Sequence, residues 1–426
     1  MKKLLAIVLA AIMILSLVAC SAAKSSTEEK PQAETTAPAE EASSKVTEEA
    51  EDSDLDGEFK LGVMLPFTGS ISVSAEDGKN ACEMACDYIN ANGGFNGKKV
   101  VPIYYDTQQS AEEAVKCATK LVNHDQVDAV INSFNSGECL ASADIFNNAG
   151  TLMIGLGTAD TWLLPEKWPY VYRGSCTVSK CSGGIADAIV ESGAKSVAVF
   201  NSTDDAGVSI ADAFIAACEE RGIEVVLRET CESGDTDFAA QVAAIVSAEA
   251  DTVYISCDGT VMGPVIRQIR QGGYQGILWN KDVTDNSIME QCGVENAQYV
   301  ACVYPYVCYK NVEDCTIPIM REFLEEYYAR YEIVPPTEVA YRMYDSMMVL
   351  WEATKIAQSN ASDDLLVAMD QVKIDGLGGQ IDFTNGFHEA YGENGTKFII
   401  LDGKNQPWVD WVAAGGLEEL NAKLGK

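Results

Sequence analysis

The sequence predicts an α/β protein made of two doubly wound parallel-sheet lobes. Short apolar runs alternate with amphipathic stretches from Phe59 to about Leu401, as strands buried on both faces do when helices connect them. The alternation falls into two series that part near Arg173–Ser179. Roughly 365 residues follow the acidic N-terminal stretch, enough for two domains of ordinary size.

The first series opens on Phe59–Leu65, a strand broken by Pro66 and Gly69. A Ser-rich loop, Ser70–Ser74, leads into a helix whose Ala81, Met84, Ala85, Tyr88 and Ile89 share one face. Asn92-Gly93-Gly94 stops this helix. The pattern then predicts strand 100–106, helix 111–123, strand 128–133, helix 139–148 and strand 151–154, with 170–173 leading out. In the second series the predicted helices are 183–192, 209–221, 238–248 and 264–271, the last starting at Pro264. The strands between them are 196–202, 224–229, 252–256 and 276–279, and Tyr299–Val303 closes the series. Two long helices, 317–331 and 339–359, follow without a strand between them, and 397–401 is again a strand.

Ahead of the fold, Met1-Lys2-Lys3, the apolar run Leu4–Ala19 and Cys20 describe a secretory signal, too short for a membrane span. Residues 21–58 are rich in Ser, Thr, Ala, Pro and Glu, so a disordered acidic tether is expected. At about 38 residues its r.m.s. reach is near 35 Å, extended further by charge repulsion. The net charge of −34 argues against nucleic acid and anionic lipid as partners, since both demand basic patches. Of 14 Cys, removing Cys20 leaves 13, scattered through predicted helices and strands with no C-x-x-C spacing. With only His124 and His388 besides, no metal site is expected, and mostly free, buried thiols are favoured over a disulfide framework.

The run strand–P-x-T-G–loop–helix ending D-x-I-N-x-x-G-G-x-N-G resembles the first unit of the branched-chain amino-acid (leucine/isoleucine/valine-type) binding proteins, the type I solute receptors of ABC importers. Pro66, Thr68, Gly69, Ile89, Asn90, Gly93, Gly94 and Gly97 carry the resemblance, and the order of elements matches as far as about Trp408. Leu17-Val18-Ala19-Cys20 likewise resembles a bacterial lipobox, which makes 1–19 a signal peptide and Cys20 the lipid-attachment site. The resemblance implies that the two long helices return to the first lobe and that 397–401 returns to the second. The chain would cross three times, in a hinge near 173–179, 304–307 and 384–395. Periodicity alone gives two lobes, not the crossing count. The implied division is 20–58 tether, 59–175 first lobe, 176–304 second lobe, 305–393 return to the first lobe, and 394–426 second lobe and tail.

Site residues follow in the same way. Asn135-Ser136-Gly137 lies between a strand and a helix start, where unpaired N–H groups suit a carboxylate. The family places a ligand-binding Ser at Ser136, whose plainer role is a helix cap. Gly157 and Thr158 occupy the next family position, in a loop one residue shorter than the usual form. Family aromatics are replaced by Ser74-Ala75, Ala206-Gly207 and Asp258, and the family's ammonium-binding acid aligns with Lys281, beside Asp282. Two readings stand: Asp258 or Asp282 holds an ammonium, or Lys281 binds a second anionic group. Trp162 is a candidate replacement wall, or else a hinge contact.

No nucleophile–base pair and no phosphate-cradling glycine spacing occurs, so no enzyme and no cofactor is expected. The resemblance implies an extracytoplasmic, lipid-anchored receptor that passes an amino acid or related small polar solute to an ABC permease. The alternative is a sensor of the same fold serving a signalling partner.

Overall fold

The computed structural model describes residues 55–425, apart from 70, 233, 258, 282–285 and 392–394. The signal segment, Cys20 and nearly all of the expected tether lie outside the described residues, as do Asp258 and Asp282.

The first sheet comprises β1 (Glu58–Leu65), β2 (Lys99–Asp106), β3 (Ala129–Asn132), β4 (Leu152–Gly155) and β5 (Val171–Arg173). Between these strands run α1 (Ser72–Ala91), α2 (Ala111–Lys120) and α3 (Ser136–Ala149). The strand order is β2-β1-β3-β4-β5, parallel throughout. β1 sits inside the sheet because Phe59, Leu61, Val63, Met64 and Leu65 are all buried.

The second sheet draws on β6 (Ser196–Ser202), β7 (Glu224–Cys231), β8 (Thr252–Ser256), β9 (Leu278–Asn280) and β10 (Val300–Tyr304). Its helices are α4 (Val178–Glu191), α5 (Asp205–Glu220), α6 (Ala239–Ser247), α7 (Gly259–Gln271), α8 (Asn286–Cys292) and α9 (Val294–Ala297). The chain continues through α10 (Pro318–Tyr331), α11 (Val339–Ala357), α12 (Ser362–Met369), β11 (Lys373–Gly376) and β12 (Gly379–Asp382). It ends with β13 (Thr396–Leu401), β14 (Lys404–Pro407), α13 (Trp408–Ala413) and α14 (Gly416–Lys423). The second sheet reads β14-β13-β10-β9-β8-β6-β7, so β13 pairs antiparallel with β10 and returns the chain to it. Helices α1 and α11 share one apolar cluster through Met84, Ala85, Met343 and Met347, which places the long helices on the first lobe.

In both sheets the strand order reverses beside the first strand of the series, between β1 and β3 and again between β6 and β8. Open α/β sheets bind ligands outside the carboxyl ends of strands at such a reversal.

The family-like turn after α1 has a physical cause at each residue. The Asn90 amide donates to the Val100 carbonyl at 3.1 Å and accepts from the Val100 N–H at 2.7 Å, tying helix end to strand start. Gly94 has φ +63°, and a Cβ there would stand 2.1 Å from the Lys98 carbonyl oxygen.

Several expectations shift. Helix α1 begins at Ser72, so Ser74 lies in its first turn rather than in a loop. Tyr88, expected in the core, is 50% exposed. Helix α7 begins at Gly259, five residues before Pro264, because Val261 and Met262 bury their side chains against the second-lobe core. The helix expected over 111–123 passes into a single π turn, Leu121–Asp125. All 13 described cysteines are buried, and none of them is in a disulfide.

The crossings are bound to one another. Arg173 donates its N–H to the His388 carbonyl at 2.8 Å, and Ala390 donates to the Arg173 carbonyl at 2.9 Å, pairing the first crossing with the third. Asp345, on α11, accepts from the hydroxyls of Tyr306 (3.0 Å) and Tyr391 (2.5 Å), linking the second crossing to the third.

Candidate functional site

β3 ends in a dense polar turn. Asn135 is the N-cap of α3, its side-chain oxygen accepting from the Gly137 N–H at 3.0 Å. The cap role open to Ser136 in the sequence therefore belongs to Asn135, and Ser136 is the first helical residue. Its hydroxyl accepts from the Ala159 N–H at 3.1 Å, which leaves its own O–H to donate. The Ser136 N–H is one of the orphan donors of a helix start, with no acceptor among the described residues. Ser136 is half-buried and Gly137 exposed, so this corner is open to a solute.

The loop after β4 faces Ser136, and its carbonyls are held from behind. Arg342 donates to the Leu156 carbonyl at 3.1 Å, Ser175 to the Gly157 carbonyl at 2.9 Å, and Arg173 to the Ala159 carbonyl at 2.7 Å. In a trans peptide the N–H points opposite to the C=O, and no peptide here is cis. With the Gly157 carbonyl fixed on buried Ser175, the Thr158 N–H is therefore aimed forward, away from the core. It has no acceptor among the described residues. The structure thus brings Asn135, Ser136, Gly157 and Thr158 together.

Trp162 is not a ligand wall. It is fully buried, and the Arg173 guanidinium lies 4.8 Å from its ring centroid. A Cβ on Gly155 would come within 2.6 Å of this indole; one on Gly157 would meet the Ser136 hydroxyl at 2.8 Å and the indole nitrogen at 3.0 Å. Trp162 is the back plate that obliges both positions to be glycine.

Sequence reasoning did not find the two buried arginines. Arg173 lies 3.7 Å from Glu389, which also binds Lys180 at 2.8 Å and takes the Thr177 N–H. Burial lowers the Arg173 pKa, and the Glu389 charge opposes that shift. Arg342 pairs with Glu338 at 2.5 Å and with the Tyr304 hydroxyl. Isolated arginines in a helix or at a strand end carry no local signal of burial, so only the fold shows them converging. Glu138 in the first turn of α3 is also buried, its carboxyl pKa raised by that burial, and it accepts from the Thr107 hydroxyl at 2.8 Å.

Ser74 stands half-buried at the start of α1, after the neighbouring strand β1. In the second sheet, Asp204 caps α5 by accepting from the Gly207 N–H at 2.9 Å, and a Cβ on Gly207 would stand 2.1 Å from the Ser202 hydroxyl. That glycine is a packing requirement. Lys281 follows β9, half-buried, its N–H on the Ile255 carbonyl at 3.1 Å. The partners expected beside it, Asp258 and Asp282, lie outside the described residues.

Two α/β lobes, each reversing its strand order at one edge and joined by three crossings, define a type I binding-protein architecture. A family model described as periplasmic binding protein matches residues 58–394, and the chain belongs to that family. An amino acid binding protein of Pseudomonas aeruginosa is 31% identical over 229 residues, covering 53% of this chain and 61% of that protein. The curated relatives it matches are spanned over 58% to 66% of their own lengths. Among solved structures, the branched-chain amino acid transporter substrate binding protein LivJ from Streptococcus pneumoniae, in complex with isoleucine, superposes with TM-score 0.67 at 22% identity. That match covers 82% of this chain and 97% of the other. A solute binding protein from R. palustris in complex with benzoate gives TM-score 0.67 at 21% identity, covering 83% and 96%.

Proposed function

We propose that this chain is the substrate-binding lipoprotein of an ABC importer, taking up an amino acid or a related small carboxylate between its lobes. The observation that supports this most is the pairing of forward-facing donors: the Ser136 N–H, the Ser136 O–H and the Thr158 N–H, beside the positive end of α3. A carboxylate meeting such fixed donors loses little ordering entropy and forms charge-assisted bonds. Relatives that bind branched-chain amino acids, and a neighbour holding benzoate, share the carboxylate as their common group.

In this reading the lobes are 59–175 with 305–393, and 176–304 with 394–426. The solute binds the first lobe, which carries Ser74, Asn135, Ser136, Gly157 and Thr158, and closure about the three crossings brings the second-lobe residues Asp258, Lys281 and Asp282 toward it. Ligand selects the closed form, which the permease reads. Cys20 carries the lipid, and residues 21–58 give the reach to find the permease at an extracytoplasmic membrane surface. No helix among the described residues is long and apolar enough to cross a membrane, so the lipid serves as the anchor in this reading.

A thermal-shift screen over amino acids, aromatic carboxylates and small amides tests the reading, since ligand at about 100 times its Kd adds roughly 2.7 kcal/mol. A hit that bears a carboxylate should weaken about tenfold in Ser136→Ala, the value of one hydrogen bond to a charged group. Unchanged affinity removes Ser136 from the site. Asp258→Asn should weaken an ammonium-bearing hit; no effect there, with loss in Lys281→Met, assigns the far side to an anion.

A further inference from the structure

The amino-terminal edge of the first lobe, remote from Ser136, carries a groove of about 780 Å³. It lies at the last turns of α1, where Trp351 donates its indole N–H to the Gly94 carbonyl at 3.0 Å in the turn before β2. Three helices each present one stripe to it at helical spacing. Met84 and Tyr88 come from α1, Ile319 and Phe323 from α10, and Tyr344, Met348 and Trp351 from α11. Such stripes ordinarily bury against a neighbouring element. Here Tyr88 remains 50% exposed and Ile319 40%. Residues 344 to 355 line the groove over roughly 16 Å at 1.5 Å per residue, about three helical turns.

The rim is acidic. Five carboxylates and two cations line it. Arg330 is held by Asp87 at 2.7 Å and Glu326 at 2.6 Å, and Lys355 by Glu352 at 3.2 Å. Glu322 and Asp375 then have no ion-pair partner among the described residues. Lys355 also lies 3.4 Å from the Trp351 ring centroid, so an aromatic face of this groove already attracts a cation. The charge decides the occupant. A chain of net charge −34 repels a second copy of itself, and its own residues 40–56 are acidic.

We infer that this groove docks a basic amphipathic helix of a partner protein, about three turns long, its apolar stripe on Tyr88, Ile319 and Met348 and its lysines or arginines against Glu322 and Asp375. Because the groove lies at the opposite edge from Ser136, docking leaves the solute site accessible.

The test uses the full chain and a labelled peptide of about eighteen residues, built from leucine and lysine with leucines at i, i+3, i+4 and i+7. A control peptide has the same composition with its leucines spread around the helix. Fluorescence anisotropy at about 0.15 M salt should show the striped peptide binding at least tenfold tighter than the control. Met348→Asp adds negative charge yet spoils the apolar floor, so groove docking predicts a loss of about tenfold, whereas unspecific attraction predicts none. Glu322→Lys with Asp375→Lys should weaken binding by a similar factor. Photo-crosslinks should fall within 84–91, 319–330 and 344–355. Equal affinity for both peptides, a Met348→Asp variant that binds unchanged, or crosslinks elsewhere would each overturn the proposal. A Ser136→Ala variant should bind the peptide normally even if it loses solute.

Discussion

Replacing Asp345 by asparagine probes the link between the second and third crossings. The carboxylate is buried and accepts from the Tyr391 hydroxyl at 2.5 Å, the Leu377 N–H at 2.8 Å, the Tyr306 hydroxyl at 3.0 Å and the Gly378 N–H at 3.3 Å. Burial raises its pKa from the ordinary 3.8 to about 6, the four donors offsetting only part of that effect. The folded chain therefore binds this proton more tightly than the unfolded chain does. The stabilisation is present in full below about pH 4 and is lost as pH rises through about 6. At 1.36 kcal/mol per pKa unit the loss across that window is about 3 kcal/mol. Asparagine does not titrate, so its contribution to the slope is zero. Its oxygen can still accept from the Leu377 N–H while its NH₂ faces the tyrosine hydroxyls, which rotate to accept. Only the long Gly378 bond is forfeited, at about 1 kcal/mol. Urea denaturation at pH 4 and pH 7 reads both effects. The stability difference between variant and wild type should move by about 3 kcal/mol between the two pH values, in favour of the variant at pH 7. A difference that stays constant with pH would show that Asp345 does not titrate in this range, and the reasoning would fail.

Other perturbations bear on the site and its support. Gly157→Ala pushes a Cβ to within 2.8 Å of the Ser136 hydroxyl, so it should cost about 1–3 kcal/mol in stability and weaken solute binding, by denaturation and calorimetry. Native stability in Gly157→Ala would mean the loop and α3 do not meet as described. Arg173→Met removes the cation from Glu389 and the donor from the Ala159 carbonyl. With Lys180 still beside Glu389, a loss near 3 kcal/mol is expected, and a neutral result would show that Glu389 is not committed to Arg173. Ellman's reagent should find the 13 described thiols unreactive in the native state and reactive once unfolded under non-reducing conditions. A shortfall after unfolding would reveal disulfides.

Most of the strand and helix order is legible in the sequence because buried parallel strands and amphipathic helices leave strong periodic signals. The N-x-x-G-G-x-N-G turn is legible for a similar reason: a left-handed glycine and a bridging asparagine are local devices. The short hairpin β11–β12 and the terminal α13 and α14 are not placed by that reading, since a few residues carry too little pattern. Ser136 is legible at a helix start, with capping as its alternative role, and the structure gives the cap to Asn135. Choosing between Asn135 and Ser136 depends on which side chain turns back on the helix.

By itself, then, the sequence determined two α/β series and the polar loops at their strand ends, because each depends on spacing along the chain. Only the tertiary structure decided that Trp162 backs the binding loop instead of facing a solute. It alone showed that Arg342, Ser175 and Arg173 hold the carbonyls of Leu156, Gly157 and Ala159 inward, and that the Gly157–Ser175 bond turns the Thr158 N–H outward. It likewise left Tyr88 on a groove instead of in the core. Those outcomes depend on residues far apart in sequence arriving at one place, and no local pattern encodes a meeting between them.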